Sequence, residues 1–220
     1  MAISTAFRET KIALISDDLS NVLNEKSWPS DNNEAEKLIP EIYDSLKSQN
    51  LDWKDLSAQI VVNGPGSFTG LRIGIVIANT LKYLLKNSLF HINTFDYFWS
   101  SLPENLANEN TALLIYAGQG GLYLSKSKND TDEKSVEIVP LNQIIEKLNR
   151  LKVKDVFGEI SPEQKALLTN LKFHNLENSF GENMKKILSS RTLENEQSVV
   201  PLYIKPPAIT KAKDKIFNQQ

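Results

Sequence analysis

The sequence predicts an α/β protein of two lobes, residues 1–103 and 104–220, with sheets flanked by helices. In each half, short alternating segments come first, and helical and strand patterns follow. Between the halves the composition turns polar over PENLANEN, residues 103–110, which is typical of a hinge. With 220 residues, one large domain or two small ones can each bury a core.

The first lobe opens with three segments that alternate apolar and polar residues, AISTAF, KIALIS and NVLNEKSW. Polar turns such as SDDLSN separate them, so they predict a meander of short strands. A helix is expected over residues 33–47, because Leu38, Ile42 and Leu46 fall on one stripe. Asp31 and Glu34 have capping-box spacing ahead of it. The segment AQIVVNG then predicts a further strand.

The second lobe repeats this plan. TALLIYAG and GLYLSKSK predict a hairpin around residues 119–121, and SVEIVP continues as a strand. LNQIIEKLNRLK predicts a helix, KDVFGEI a strand and SPEQKALLTNLK another helix. The lysine-rich end KAKDKIFNQQ is predicted to fray.

Composition narrows the function classes. There are 25 basic and 27 acidic residues, a net charge of -2, so no overall positive field would draw the chain to nucleic acid. The chain contains no cysteine, which excludes disulfides, thiolate metal sites and thiol nucleophiles. No charge-free apolar run of about 18 residues stands out, so we expect a cytoplasmic protein without a membrane span.

The most distinctive stretch runs from a strand through a glycine-rich loop into a long apolar segment. Gly64, Gly66, Gly70 and Gly74 lie within eleven residues. A strand, a glycine loop and a helix N-terminus together make a candidate anion-binding loop, with Gly64, Gly66, Ser67 and Thr69 as its residues. The loop lacks the lysine of a P-loop and the spacing of a dinucleotide motif. Ser67 or Thr69 could equally be a helix N-cap.

The helix after this loop is apolar over roughly 240 degrees of its circumference, against about 100 degrees for a surface helix. Gly70, Gly74 and Ala78 form a ridge of small residues that would admit another backbone. Two interpretations stay open: a core helix, or a partner interface that also includes Leu38, Ile42 and Leu46. Arg72 could hold an anion, pair with a partner's carboxylate or solvate the helix.

Other candidate residues give no catalytic or metal-ligating group. His91 and His174, the two histidines, are 83 positions apart, so they do not predict a metal site. Asp17 and Asp18 are adjacent in a turn, where side chains usually face water. We therefore expect no cofactor, no metal and no catalytic residue.

The stretch GPGSFTGLRIG resembles the signature of the bacterial TsaB family, also called YeaZ. Weaker similarity covers AISTAFRETKIALIS, AEKLIPEI, IYAGQGGLYLS and VVPLYIKPP. The resemblance implies the two-lobe, actin-like and Hsp70-like ATPase fold (ASKHA). It departs at Ser4, where such folds usually carry an aspartate that serves magnesium.

The resemblance also implies a function. Members of the family are non-catalytic relatives of TsaD and support it in making threonylcarbamoyladenosine beside the tRNA anticodon. A TsaD-like subunit would bind the two first-lobe helices, a TsaE-like ATPase would be a third partner, and tRNA would be met only through the complex. When alone, the chain would form a homodimer through the same helices. The alternative is a small phosphotransferase of the same fold, against which Ser4 argues.

Overall fold

The computed structural model describes residues 1–31, 33–117, 120–128, 130, 135–176 and 178–204. Two five-stranded mixed sheets organise these residues, and both have the same topology. In each, the first three strands form an antiparallel meander, and two further strands add in parallel beside the first one. The predicted α/β architecture with two mixed sheets flanked by helices is confirmed.

Sheet A belongs to the first half of the chain and has the order β3-β2-β1-β4-β5. Strand β1 is short, and its central place is set by antiparallel pairing with β2 and parallel pairing with β4. The elements of this half are β1 (Ala2–Ser4), β2 (Glu9–Ile15), β3 (Val22–Pro29), α1 (Glu34–Ser48), β4 (Ala58–Val62), α2 (Phe68–Leu85), β5 (Ser88–Ile92) and α3 (Thr94–Ser101).

Sheet B belongs to the second half and has the order β10-β9-β6-β7-β8. Strands β6 and β7 are buried along most of their length, as expected of the centre of a sheet that is covered on both faces. The elements are β6 (Thr111–Tyr116), β7 (Gly121–Ser125), β8 (Glu137–Pro140), α4 (Ile144–Arg150), β9 (Asp155–Glu159), α5 (Pro162–Ala166), β10 (Lys172–His174) and α6 (Phe180–Ser190).

Helices α3 and α6 lie between the two sheets. Helix α6 contacts α3, β2 and β3, and aromatic residues of α3 pack against Phe157 of sheet B. The Trp99 indole also donates a hydrogen bond of 2.8 Å to Ser125 Oγ on β7. Helices α1 and α2 cover the other face of sheet A, and α4 covers the other face of sheet B.

Residues 178–204 return to the first sheet, although they come from the second half of the chain. After α6, residues 195–203 run along β5 and α2 without forming a helix or strand; we call them the C-terminal strap. The strap covers the edge of sheet A, where Glu196 N donates to Leu89 O at 2.8 Å. The predicted boundary near 103 therefore separates the two sheets, but α6 and the strap pack with the first one.

Several elements differ from the sequence prediction. Helix α1 begins at Glu34 with Asn33 as its N-cap, and no side-chain capping bond forms there. Helix α2, with 18 residues, is long and apolar enough to cross a membrane, contrary to the expectation that no segment qualifies; its buried side covers sheet A. The predicted fraying of KAKDKIFNQQ lies outside the described residues.

Candidate functional site

The glycine-rich loop packs against the first turn of sheet A. Ser67 N donates to Ala6 O at 2.9 Å, and Ser67 Oγ accepts from Gly70 N at 3.2 Å, which makes Ser67 the N-cap of α2. A Cβ on Gly66 would lie 2.2 Å from Ala6 O. The loop therefore uses its missing side chains and part of its amide groups within the chain. Its proposed anion-binding role gains no support from this packing.

Gly70 and Gly74 contact Thr5. A Cβ on Gly70 would meet Thr5 O at 2.2 Å, and one on Gly74 would meet Thr5 Oγ1 at 2.2 Å. Ala78 is fully buried in the same core. The ridge of small residues does admit a close backbone, as predicted, but this backbone is strand β1 and its turn rather than a partner subunit.

The apolar stripe of α1 is also internal. Leu38, Ile42 and Leu46 are completely buried, where they pack with Ile75 and Ala78 of α2 in the core between the helices and sheet A. The partner interface predicted at these three residues and at Gly70, Gly74 and Ala78 gains no support from this packing, since all six residues are buried within the chain. Of the predicted interface residues only Arg72 is exposed.

Large apolar side chains on both helices form a second surface that is exposed to solvent. On α2, Tyr83 is 82% exposed, Leu84 65% and Val76 61%. We call the exposed residues of this surface the outer face: Ile39, Tyr43, Phe68, Arg72, Val76, Thr80, Tyr83 and Leu84. Exposed large apolar side chains gathered on neighbouring helices are typical of a protein–protein contact.

Sequence reasoning missed the outer face because hydrophobicity alone assigns Val76 and Leu84 to the core. The available signal was Arg72. At spacings of four residues, Val76 and Thr80 share the side of the helix that holds this charge.

The charge on the outer face is one-sided along α2, whose sequence contains no Asp or Glu. Arg72 takes part in none of the ion pairs among the described residues, and its guanidinium lies 5.4 Å from the centre of the Phe68 ring. Phe68 in turn packs on Tyr203 of the strap, with 5.0 Å between ring centres and 33° between the ring planes. The guanidinium of Arg72 therefore lies near aromatic rings, and its charge is exposed to solvent.

Aromatic side chains of the chain itself pack between the two sheets. Phe7, in the turn after β1, is 4% exposed and packs on Tyr97 and Phe98 of α3 at 5.5 and 5.3 Å. Burial raises the pKa of the Tyr97 hydroxyl to about 12. Ser4 ends β1 nearby, completely buried, where an aspartate was expected from the resemblance.

Two glutamates form hydrogen bonds that connect the two halves of the chain. Glu159, at the end of β9, accepts a hydrogen bond of 3.1 Å from Arg8 N. Glu25 of β3 lies at the N-terminus of α6, where its carboxylate accepts from Phe180 N at 2.9 Å, Gly181 N at 3.0 Å and Ser179 Oγ at 2.5 Å. These amide donors, which could have bound an external anion, are thus satisfied by the chain's own carboxylates.

The remaining candidates are dispersed. Hydrogen bonds from Ser16 and Ser20 lower the pKa of Asp18 to about 2, and Asp17 accepts from Ser57 Oγ at 2.6 Å. His174 Nε2 lies 2.6 Å from Asp155 Oδ1, and His91 Nδ1 lies 3.5 Å from Glu196 Oε1. Within the part of the chain that the structure describes, no three acidic or histidine side chains come together as a metal site.

Known proteins resemble this chain in sequence and in fold. A family model described as TsaD, tRNA N6-adenosine threonylcarbamoyltransferase, matches residues 29–186. The tRNA threonylcarbamoyladenosine biosynthesis protein TsaB of Buchnera aphidicola subsp. Schizaphis graminum is 29% identical over 123 residues, which is 54% of this chain and 59% of that protein. TsaB of Bacillus subtilis is 34% identical over 85 residues, 39% of this chain and 36% of that protein. The chain thus spans less than two thirds of the length of these relatives.

Two solved structures share the fold over nearly the whole chain. YeaZ from Pseudomonas aeruginosa superposes with a TM-score of 0.63 at 14% identity, covering 92% of this chain and 97% of its own. A second structure, of an uncharacterised protein with similarity to the peptidase YeaZ from the same organism, has a TM-score of 0.65 at 16% identity and covers 93% and 98%. These similarities establish that the chain has the fold of YeaZ, which together with the family match is consistent with the expected actin-like two-lobe fold.

Proposed function

The chain belongs to the family described by the TsaD model, in its TsaB (YeaZ) branch, and from this premise we propose that it is a non-catalytic subunit that binds and supports a TsaD. The reaction served would be the threonylcarbamoylation of tRNA adenosine beside the anticodon. The chain itself would supply a docking surface for the enzyme.

The outer face of α1 and α2 carries this proposal. The buried sides of both helices already complete the core of the first lobe, so the fold itself does not require Val76, Tyr83 and Leu84 to be apolar. Aromatic and aliphatic residues exposed on the surface of helices resemble the anchors that dominate protein interfaces. A partner that covers them would remove this surface from water.

The charge on α2 indicates the chemistry of the partner. Arg72 projects from the outer face, and α2 has no acidic residue to neutralise it. A TsaD surface that offers a carboxylate opposite Arg72 would complement this charge and fix the register of the two subunits. This supports the interpretation of Arg72 as a partner of a carboxylate rather than an anion clamp.

Residues between the sheets support a non-catalytic role. Phe7 packs there against Tyr97 and Phe98, and Ser4 offers no carboxylate for a metal ion. The alternative, a nucleotide-dependent phosphotransferase, would need a metal ion at the phosphates. The missing carboxylate at Ser4 therefore argues against it.

The net charge of -2 supports contact with tRNA through the complex rather than by the chain alone. A TsaE-like ATPase stays an expectation from the resemblance. Self-association follows from the exposed outer face: without a TsaD, two copies would cover each other's apolar residues.

Binding of a TsaD from the same organism tests the docking proposal. Leu84→Asp places a charge in the outer face, near the C-terminal end of α2, and should weaken binding, measured by calorimetry, by about tenfold or more. Leu167→Asp is the matched control, since Leu167 is an exposed leucine in the second lobe. If Leu84→Asp binds like the wild type while both variants remain folded, the outer face is not the docking surface.

A further inference from the structure

Side-chain and backbone hydrogen bonds attach the C-terminal strap to the first lobe. The Asn79 side chain forms two hydrogen bonds with the strap: its Nδ2 donates to Val199 O and its Oδ1 accepts from Val199 N, both at 2.9 Å. Asn63 adds a second attachment. Its backbone carbonyl accepts from Leu202 N at 2.7 Å, and its side-chain Nδ2 donates to Val200 O at 3.3 Å. The backbone of residues 199–202 is therefore fixed against the first lobe.

This attachment creates an apolar groove beside the outer face. One wall is the exposed side of α2, the other is the strap, and the rings of Phe68 and Tyr203 pack against each other between them. Its volume is about 480 Å³, enough for the apolar side chains of one turn of a helix. The lining residues are Phe68, Arg72, Ile75, Val76, Asn79, Val199, Pro201 and Tyr203.

The charge of Arg72 indicates which kind of partner segment would bind in the groove. Arg72 is a lining residue, α2 contributes no acid, and the strap residues that line the groove are Val199, Pro201 and Tyr203, which are uncharged. A segment that buries apolar side chains here therefore gains most if it carries a carboxylate next to them. Three lining residues, Phe68, Arg72 and Val76, also belong to the outer face, so an occupant of the groove would contact that face as well.

We propose that the strap is part of the docking surface, and that the groove receives an apolar side chain and a neighbouring carboxylate from a helix of the TsaD partner. This inference rests on the proposed function and extends it: the subunit would be recognised by two helices and by a clamped C-terminal segment. Asn79 is then a positioning residue, since it acts on the partner only through the strap.

The test measures binding of a TsaD from the same organism to three variants of the full chain. Tyr203→Ser removes an aromatic ring that lines the groove, Asn79→Ala releases the strap, and Arg72→Glu reverses the charge. Each should weaken binding by about tenfold or more, and Arg72→Glu should also slow association at low salt. Leu167→Asp is the control and should bind like the wild type. Thermal melting checks that each variant is folded, and Tyr203→Ser keeps the test valid if Asn79→Ala unfolds.

The outcomes separate this inference from the proposed function. If Leu84→Asp loses binding while Tyr203→Ser and Asn79→Ala keep it, the helices dock but the strap does not, and the inference is overturned. Unchanged binding by Arg72→Glu would overturn the predicted carboxylate. If the strap variants dissociate a homodimer in light scattering yet bind the partner normally, the groove holds a second copy of the chain, which also overturns it. Normal binding by Leu84→Asp would instead contradict the proposed function.

Discussion

Replacing Gly74 with alanine should destabilise the free chain, because the new methyl group has no room. An ideal Cβ at this position lies 2.2 Å from Thr5 Oγ1, 3.1 Å from Thr5 Cγ2 and 3.2 Å from Thr5 Cβ. The nearest of these distances is far inside van der Waals contact, so either Thr5 or the α2 backbone must move. A glycine kept for a partner subunit would behave differently, since its substitution would leave the isolated chain intact.

The size of the effect follows from two opposing contributions. Overpacking a core costs about 1–3 kcal/mol, and the 2.2 Å approach argues for the upper end of this range. Alanine in place of glycine in a helix gains about 1 kcal/mol. We therefore expect the free energy of unfolding to fall by about 2 kcal/mol.

A second substitution identifies the contact. Thr5→Ala removes Oγ1 and Cγ2, and Thr5 Oγ1 has no hydrogen-bond partner among the described residues, so this change alone should cost little beyond lost packing. In the double variant, Thr5→Ala should return at least about 1 kcal/mol of the loss caused by Gly74→Ala. Urea unfolding followed by tryptophan fluorescence measures all four proteins of this cycle.

Gly70→Ala is the matched control. Its Cβ would meet the backbone oxygen of Thr5 at 2.2 Å, which no side-chain substitution at Thr5 removes. Thr5→Ala should therefore leave the defect of Gly70→Ala unchanged. Wild-type stability of Gly74→Ala, or equal rescue of both glycine variants, would refute the packing described for α2.

Two further predictions concern the layer between the sheets. Burial raises the pKa of Tyr97 from 10.0 to about 12, so the tyrosine of the unfolded chain ionises first as the pH rises. The free energy of unfolding should therefore fall by up to about 3 kcal/mol between pH 10 and 12. Tyr97→Phe should flatten this part of the profile in urea titrations at each pH, and an unchanged slope would contradict it. Glu25→Gln should destabilise the chain by about 1–2 kcal/mol in urea unfolding at neutral pH, because α6 loses the carboxylate that its N-terminal amides contact. Wild-type stability of that variant would mean that these bonds contribute nothing net.

The sequence was sufficient to predict the elements whose patterns have one buried side. Helix α1 repeats in step with its single covered face, so its pattern is readable. Strands β2 and β3 were predicted from their alternation and the polar turn between them, although helices contact both faces of this pair. Helix α3 was not predicted, because it lies between the sheets and six of its eight residues are buried, which leaves no polar face to mark a period. Strand β10 has three residues, too few for an alternation to be visible.

The apolar arc of α2 led to the prediction that this helix is covered on more than one side. Helix α1, sheet A and the strap contact part of the arc, while Val76 and Leu84 in the same arc are exposed. A periodic pattern cannot distinguish which part of a wide apolar arc the same chain buries. The small residues pointed inward because β1 approaches there, and only coordinates show that Val76 and Leu84 are left outside.

Transfer of the threonylcarbamoyl group to tRNA is the most direct test of the proposal that this chain supports a TsaD through its outer face. A TsaD and the other components of the reaction, taken from the same organism, would be assayed without this chain, with the wild type, and with the Leu84→Asp and Leu167→Asp variants. Our account predicts that modified adenosine forms with the wild type and with Leu167→Asp, and falls to the level without the chain for Leu84→Asp. Equal modification with and without the chain, or full activity with a folded Leu84→Asp variant, would contradict it.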